Sequence, residues 1–133
     1  GWRGTDNLPK IFPKRMMPMK AEQIVNLLDA TVLSGSLPQD EVQAACGSDM
    51  MSDVLAYPKE RMVLLTGLTN MHVVRTCEML DVMMIVFVRG KLPPQEVLEM
   101  AGDLGIAVIG TPHTLYESCG RLFSSGLPSG VRG

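Results

Sequence analysis

The chain has 133 residues and a formal net charge of −2, long enough for one domain to bury a core without disulfides or a metal. Charges of both signs are scattered, which excludes a phosphate-tracking nucleic-acid surface, and the longest apolar run, Val82 to Val88, falls far short of the roughly 18–20 residues that span a bilayer. Cys46, Cys77 and Cys119 stand isolated, without the spacing of a zinc or iron–sulfur site, and fit free thiols in a reducing cytoplasm, so neither metal nor cofactor is expected.

Residues 1–18, GWRGTDNLPKIFPKRMMP, hold four basic residues, one acid and three prolines without helical or strand period. They read as a basic tail or an upstream extension, with a natural start near Met16, Met17 or Met19, and lack the apolar stretch of a secretory signal. A folded domain is expected over 19–127, with a frayed C-terminus over 128–133.

From Lys20, KAEQIVNLLDA spaces Ile24, Val25, Leu27 and Leu28 as one face of a short helix. TVLSG is a brief strand stopped by Gly35, SLPQDE is a turn, and EVQAAC alternates well enough for a second strand. GSDMMSDVLAYP offers Ser48 or Asp49 as the cap of a helix that turns Met51, Val54 and Leu55 inward before Pro58.

The second half repeats one unit: MVLLTG, MMIVFVRG and IAVIGTP are continuous apolar runs, each ending in a glycine-bearing turn and followed by a helix. Such runs mark parallel strands covered on both faces. The helices begin at Thr69 or Asn70, at Pro93-Pro94 and at Thr111-Pro112, and Gly105 ends the second as a left-handed cap. The fold class is therefore compact single-domain α/β, a mostly parallel sheet with helices on both faces.

In such a sheet the strands' carboxyl ends and the helix N-termini share one edge, where unpaired N–H groups suit anions. Thr66, Gly67, Thr69, Asn70, Arg89, Gly90, Lys91, Thr111 and His113 all fall on that edge. Arg89 and Lys91 bring the positive charge that a phosphate or carboxylate needs. Each of these residues also has an ordinary structural use as a cap, a turn or a solvated charge. Asp49 and Asp53, four apart, fit a divalent cation, although capping accounts for Asp49. TGLTN lacks the spacing of a nucleoside-triphosphate loop, and G-x-G-x-x-G is missing.

From Met19 to Leu127 the stretches GSDMMSDVLA, VLLTGLTNMHVVRTCEML and IVFVRGKLPPQEVLEMAGDLGIAVIGTPHTLYESCGRLF, in that order, resemble a stand-alone DRTGG domain. Modules of this family occur in phosphotransacetylase-like proteins and beside CBS domains in regulated pyrophosphatases, and are similar to the N-terminal domain of HPr kinase. The resemblance implies a regulatory, non-catalytic part that assembles subunits or acts on a partner. Stand-alone versions occur in anaerobic bacteria near iron-hydrogenase and other redox proteins. It places Asp53 at the acidic helix position, Thr66-Gly67 at one turn and Arg89-Gly90 at the next, where Val88-Arg89-Gly90 replaces the usual Thr-Gly-Gly.

The expectation is thus a cytoplasmic homodimer that senses a nucleotide or small phosphorylated ligand, with a redox or hydrogenase-related protein as a further partner and no nucleic-acid or membrane partner. One alternative is a small phosphoryl or acyl transferase built on Arg89, Lys91 and His113. Another is an electron-transfer accessory using the three cysteines.

Overall fold

A computed structural model describes residues 17–57 and 60–130. The tail expected over 1–18 therefore lies outside the described residues except for Met17 and Pro18, as does Pro58. The elements in chain order are α1 Ala21–Leu27, β1 Thr31–Ser34, β2 Ala44–Gly47, α2 Met51–Val54, β3 Met62–Thr66, α3 Met71–Met79, β4 Val82–Phe87, α4 Gln95–Asp103, β5 Ala107–Gly110 and α5 Leu115–Ser124.

The five strands form one sheet in the order β1-β5-β4-β3-β2. Strands β2 to β5 are parallel, and β1 joins β5 antiparallel. Because β2 to β5 follow one another across the sheet, crossovers of one hand put α2, α3 and α4 on the same face. There Val54, Val73, Val74, Cys77, Val97 and Ala101 pack on Leu64, Ile85, Phe87 and Val108. On the opposite face Ile24 and Leu28 of α1 and Leu122 of α5 pack on Val63, Leu65, Met84, Val86 and Ile109. Successive strand residues serve opposite layers, and both layers are buried. That is why the runs read as unbroken and not alternating.

Three local expectations need correction. Helix α5 opens at Leu115 under a Thr114 cap, not at Thr111-Pro112. Thr111 is still part of the sheet edge: its N–H bonds the Phe87 carbonyl, and its buried hydroxyl donates to the Leu28 carbonyl. Helix α2 has a single turn and no side-chain cap, because Ser48 accepts the Met50 N–H at 3.0 Å while Asp49 turns elsewhere. Leu55, about 100° round from Val54, is exposed instead of inward.

Of residues 128–133, expected to fray, 131–133 lie outside the described residues and 128–130 run beside β2. The Ala45 N–H bonds the Pro128 carbonyl at 2.9 Å, and the Gly130 N–H bonds the Ala45 carbonyl at 3.1 Å. They cover one sheet edge that would otherwise offer unpaired backbone groups. Gly105, at φ 75°, caps α4 as expected, in a Schellman turn: Ile106 N–H reaches Ala101 O and Gly105 N–H reaches Gly102 O.

Candidate functional site at the carboxyl edge of the sheet

The parallel register sets Gly47 level with Leu65, so two residues further on Asp49 stands level with Gly67. Its Oδ1 accepts the Thr66 hydroxyl at 2.9 Å and the Gly67 N–H at 2.6 Å. Thr66, fully buried, accepts the Leu68 N–H through the same hydroxyl at 3.1 Å. Lys91 approaches Gly67 as well, and its Nζ donates to the Gly67 carbonyl at 3.2 Å. A carboxylate and an ammonium therefore flank one glycine, whose N–H and C=O they bind. Asn70 then caps α3 by accepting the His72 N–H at 3.0 Å, and Thr69 lies half-buried between.

After β4, the Lys91 N–H closes on the Val88 carbonyl at 3.3 Å around Arg89 at φ 61° and Gly90 at φ 68°. Two left-handed central residues define a type I′ turn. Glycine suits that geometry; arginine carries its Cβ penalty. The connection leaving β4 runs to one face of the sheet and that leaving β5 to the other, the arrangement that opens a ligand crevice in parallel sheets. Here the crevice is zipped shut by backbone: Arg89 N–H bonds the His113 carbonyl at 2.8 Å, and Gly90 N–H bonds the Thr111 carbonyl at 2.9 Å. Beside it remains a mainly apolar cavity of 310 Å³ bounded by Thr31, Leu33, Lys91, Leu92 and Pro112.

His113 is turned to structural use. Its Nε2 lies 2.9 Å from Asp29 Oδ2 and its Nδ1 2.8 Å from Glu117 Oε2, so both nitrogens can donate only when the imidazole is protonated. Arg121 completes the ring, with 3.4 Å to Asp29, 3.2 Å to Glu117 and 3.0 Å to the Leu27 carbonyl. Asp29 ends α1 at φ 51°, where glycine is usual. The hydrogen bond from His113, aided by the Arg121 charge, holds its carboxyl below the usual carboxylate range against a smaller desolvation effect.

Of the ten residues singled out from the sequence, Thr66, Gly67 and Lys91 meet in one cluster, and Arg89, Gly90, Thr111 and His113 meet in the adjoining zipper. Asp53 is not brought to them: it is exposed on α2 and bonds none of the turns, and its charge instead helps raise the Cys46 thiol. Its place is taken by Asp49, which capping logic assigned to α2. Arg89 is exposed and makes no ion pair among the described residues. Asp29, Glu117 and Arg121 escaped the sequence reading altogether.

The thiols are held in their protonated form by burial, which pushes Cys77 up to about 12 and raises Cys46 and Cys119. Among the described residues no three His, Cys, Asp or Glu side chains gather as a metal site, and no helix is long and apolar enough to cross a membrane.

Neither a protein-family model nor a curated protein matches the chain. Its backbone matches a crystal structure of the CBS and DRTGG domains of the regulatory region of Clostridium perfringens pyrophosphatase, complexed with the activator diadenosine tetraphosphate. The TM-score is 0.60 over 83% of this chain, at 19% identity. The fold is DRTGG-like. The chain spans about half, 48%, of that structure's length, and at this identity the likeness is one of fold. Within the DRTGG-like fold, the Asp49–Gly67–Lys91 cluster and the Arg89 turn stand side by side on the carboxyl edge.

Proposed function

We propose that the chain is a non-catalytic regulatory module of DRTGG-like fold. It senses a small anion of the nucleotide or phosphorylated-metabolite class at the carboxyl edge of its sheet. The observation that carries this reading is the Asp49 carboxylate seated on the Gly67 N–H and the Thr66 hydroxyl. These donors suit an anion, and an acid of the chain occupies them beside Lys91 and the exposed Arg89, which makes no ion pair among the described residues.

An incoming phosphate competes with Asp49. Its entry loosens the β2–α2 connection, whose side-chain tie to the β3–α3 turn is that carboxylate, beside a backbone bond from the Ser48 N–H to the Leu65 carbonyl and a helix of only four residues. The ligand thus favours the released state by its differential affinity, and its apparent affinity is lowered by the fraction of time Asp49 holds the seat. The fold it shares with part of a regulatory region that takes a nucleotide activator supports the regulatory reading. The module passes the change to a second copy of itself or to a protein partner of the redox or hydrogenase class that the sequence resemblance suggests.

Thermal unfolding of the purified chain against ATP, AMP, diadenosine tetraphosphate, acetyl phosphate and inorganic phosphate tests this. At 100 times the dissociation constant a true ligand adds about 2.7 kcal/mol, a rise of several degrees. Steady turnover of any of these compounds would contradict the non-catalytic reading and favour the transferase.

A further inference from the structure

We infer that the outer face of α5 is where two copies of this chain meet, antiparallel and crossing beside Gly120; this rests on the reading of the module as self-assembling and names its face. Tyr116, Gly120 and Phe123 follow one another at i, i+4 and i+7, one stripe of the helix, while Ser118 and Leu122 are buried on the other side. Tyr116 is 90% exposed and Phe123 40%. The stripe borders an open groove of 830 Å³ floored by apolar surface, with Leu27 and Cys119 among its walls.

Gly120 is the second observation. It lies inside a helix, where glycine is destabilising relative to alanine, yet it has no positive φ, and a Cβ placed there would meet no atom within 4 Å. Among the described residues nothing requires it. A helix backbone arriving from outside does, since only glycine admits close approach at the crossing point.

The occupant is a second copy because the face is self-complementary. In an antiparallel crossing between Cys119 and Gly120, residues equidistant from that point face each other, so Tyr116 of one copy lies over Phe123 of the other, twice. Among the described residues, the charged ones lining the groove are Glu117 and Arg121, one of each sign. The same crossing brings Glu117 of one copy beside Arg121 of the other, at the rim. Both are already held in place by His113 and Asp29. Residues 1–16 join the domain at Met17, whose N–H bonds the Gly126 carbonyl, but they carry four basic residues against one acid, and a groove of balanced charge offers them no counter-charge.

Sedimentation equilibrium of the intact 14.5 kDa chain tests the face. The wild type is expected to dimerise. Tyr116→Lys, at a position too exposed to disturb the fold, is expected to weaken dimerisation by at least about tenfold, with fluorescence of Trp2, the sole tryptophan, unchanged. Gly120→Ala should also weaken it while raising the helix content of the dissociated chain, a combination that a merely structural glycine does not give. A dimer indifferent to Tyr116→Lys would overturn this face and leave self-assembly standing. A wild type monomeric up to about 1 mM would overturn both. A monomer whose Trp2 emission shifts to the red in Tyr116→Lys would show that the chain's own N-terminal segment takes the groove.

Discussion

Asp49 and Gly67 are joined by a 2.6 Å hydrogen bond from backbone N–H to carboxylate, across the ends of two parallel strands. The bond gives the β3–α3 turn its own internal anion. It also ties the start of α2 to the turn that opens α3, so whatever displaces Asp49 loosens both.

Asp49→Ala is expected to lower stability by about 1–2 kcal/mol, because it removes a charged acceptor from the Gly67 N–H and from the buried Thr66 hydroxyl. Asp49→Asn keeps an acceptor oxygen without the charge and should fall between. Denaturant unfolding of the three proteins measures the order. Equal stability would mean the carboxylate contributes nothing to the turn.

Arg89→Gly is expected to raise stability by about 0.5–1 kcal/mol: it removes the left-handed penalty at φ 61°, partly offset by the freedom that glycine adds to the unfolded chain. The same substitution should weaken binding of any phosphate ligand. A gain in stability with unchanged binding would place Arg89 outside the site.

The Asp29 carboxyl is expected to titrate below its ordinary value, and to rise toward it in His113→Ala, because the His113 hydrogen bond is the main cause of the lowering. A depressed folded-state pKa means that the stabilising contribution is present above the unfolded value of about 3.9 and is lost as pH falls through the folded value. Carbon-13 NMR of the carboxyl groups reads both midpoints. No change in His113→Ala would remove His113 as the cause.

Gly47→Ala is expected to destabilise by about 1–3 kcal/mol, since the Cys119 sulfur stands where the new methyl would go. Cys119→Ala should rescue part of that loss, giving a coupling term in the double-mutant cycle. Additive effects would show that the two do not share this space.

The sheet was legible because Leu64, Ile85 and Val108 belong to short runs, closed by glycine turns, whose alternate members, Val63, Met84 and Ile109, are just as buried, the pattern of a doubly covered strand. The Asn70 cap was legible too, since it depends on its own neighbours. Asp49 was not. Its partner is chosen by the lateral register of β2 on β3, so a local rule assigned it to the nearest helix. Thr111 was read as a helix start because its tie to the Leu28 carbonyl joins residues 83 apart in sequence. Asp29, Glu117 and Arg121 were missed for the same reason: their ring with His113 depends on how α1 meets α5, and Asp29 stands where a helix end usually signals itself with glycine.

The most direct test of the anion seat is the Gly67 amide in proton–nitrogen correlation NMR, followed through a titration with ATP in the wild type and in Asp49→Ala. A saturating shift of that amide is expected in both, at lower ligand concentration in Asp49→Ala, where the internal competitor is gone. A Gly67 amide that stays in place in both folded proteins would contradict it.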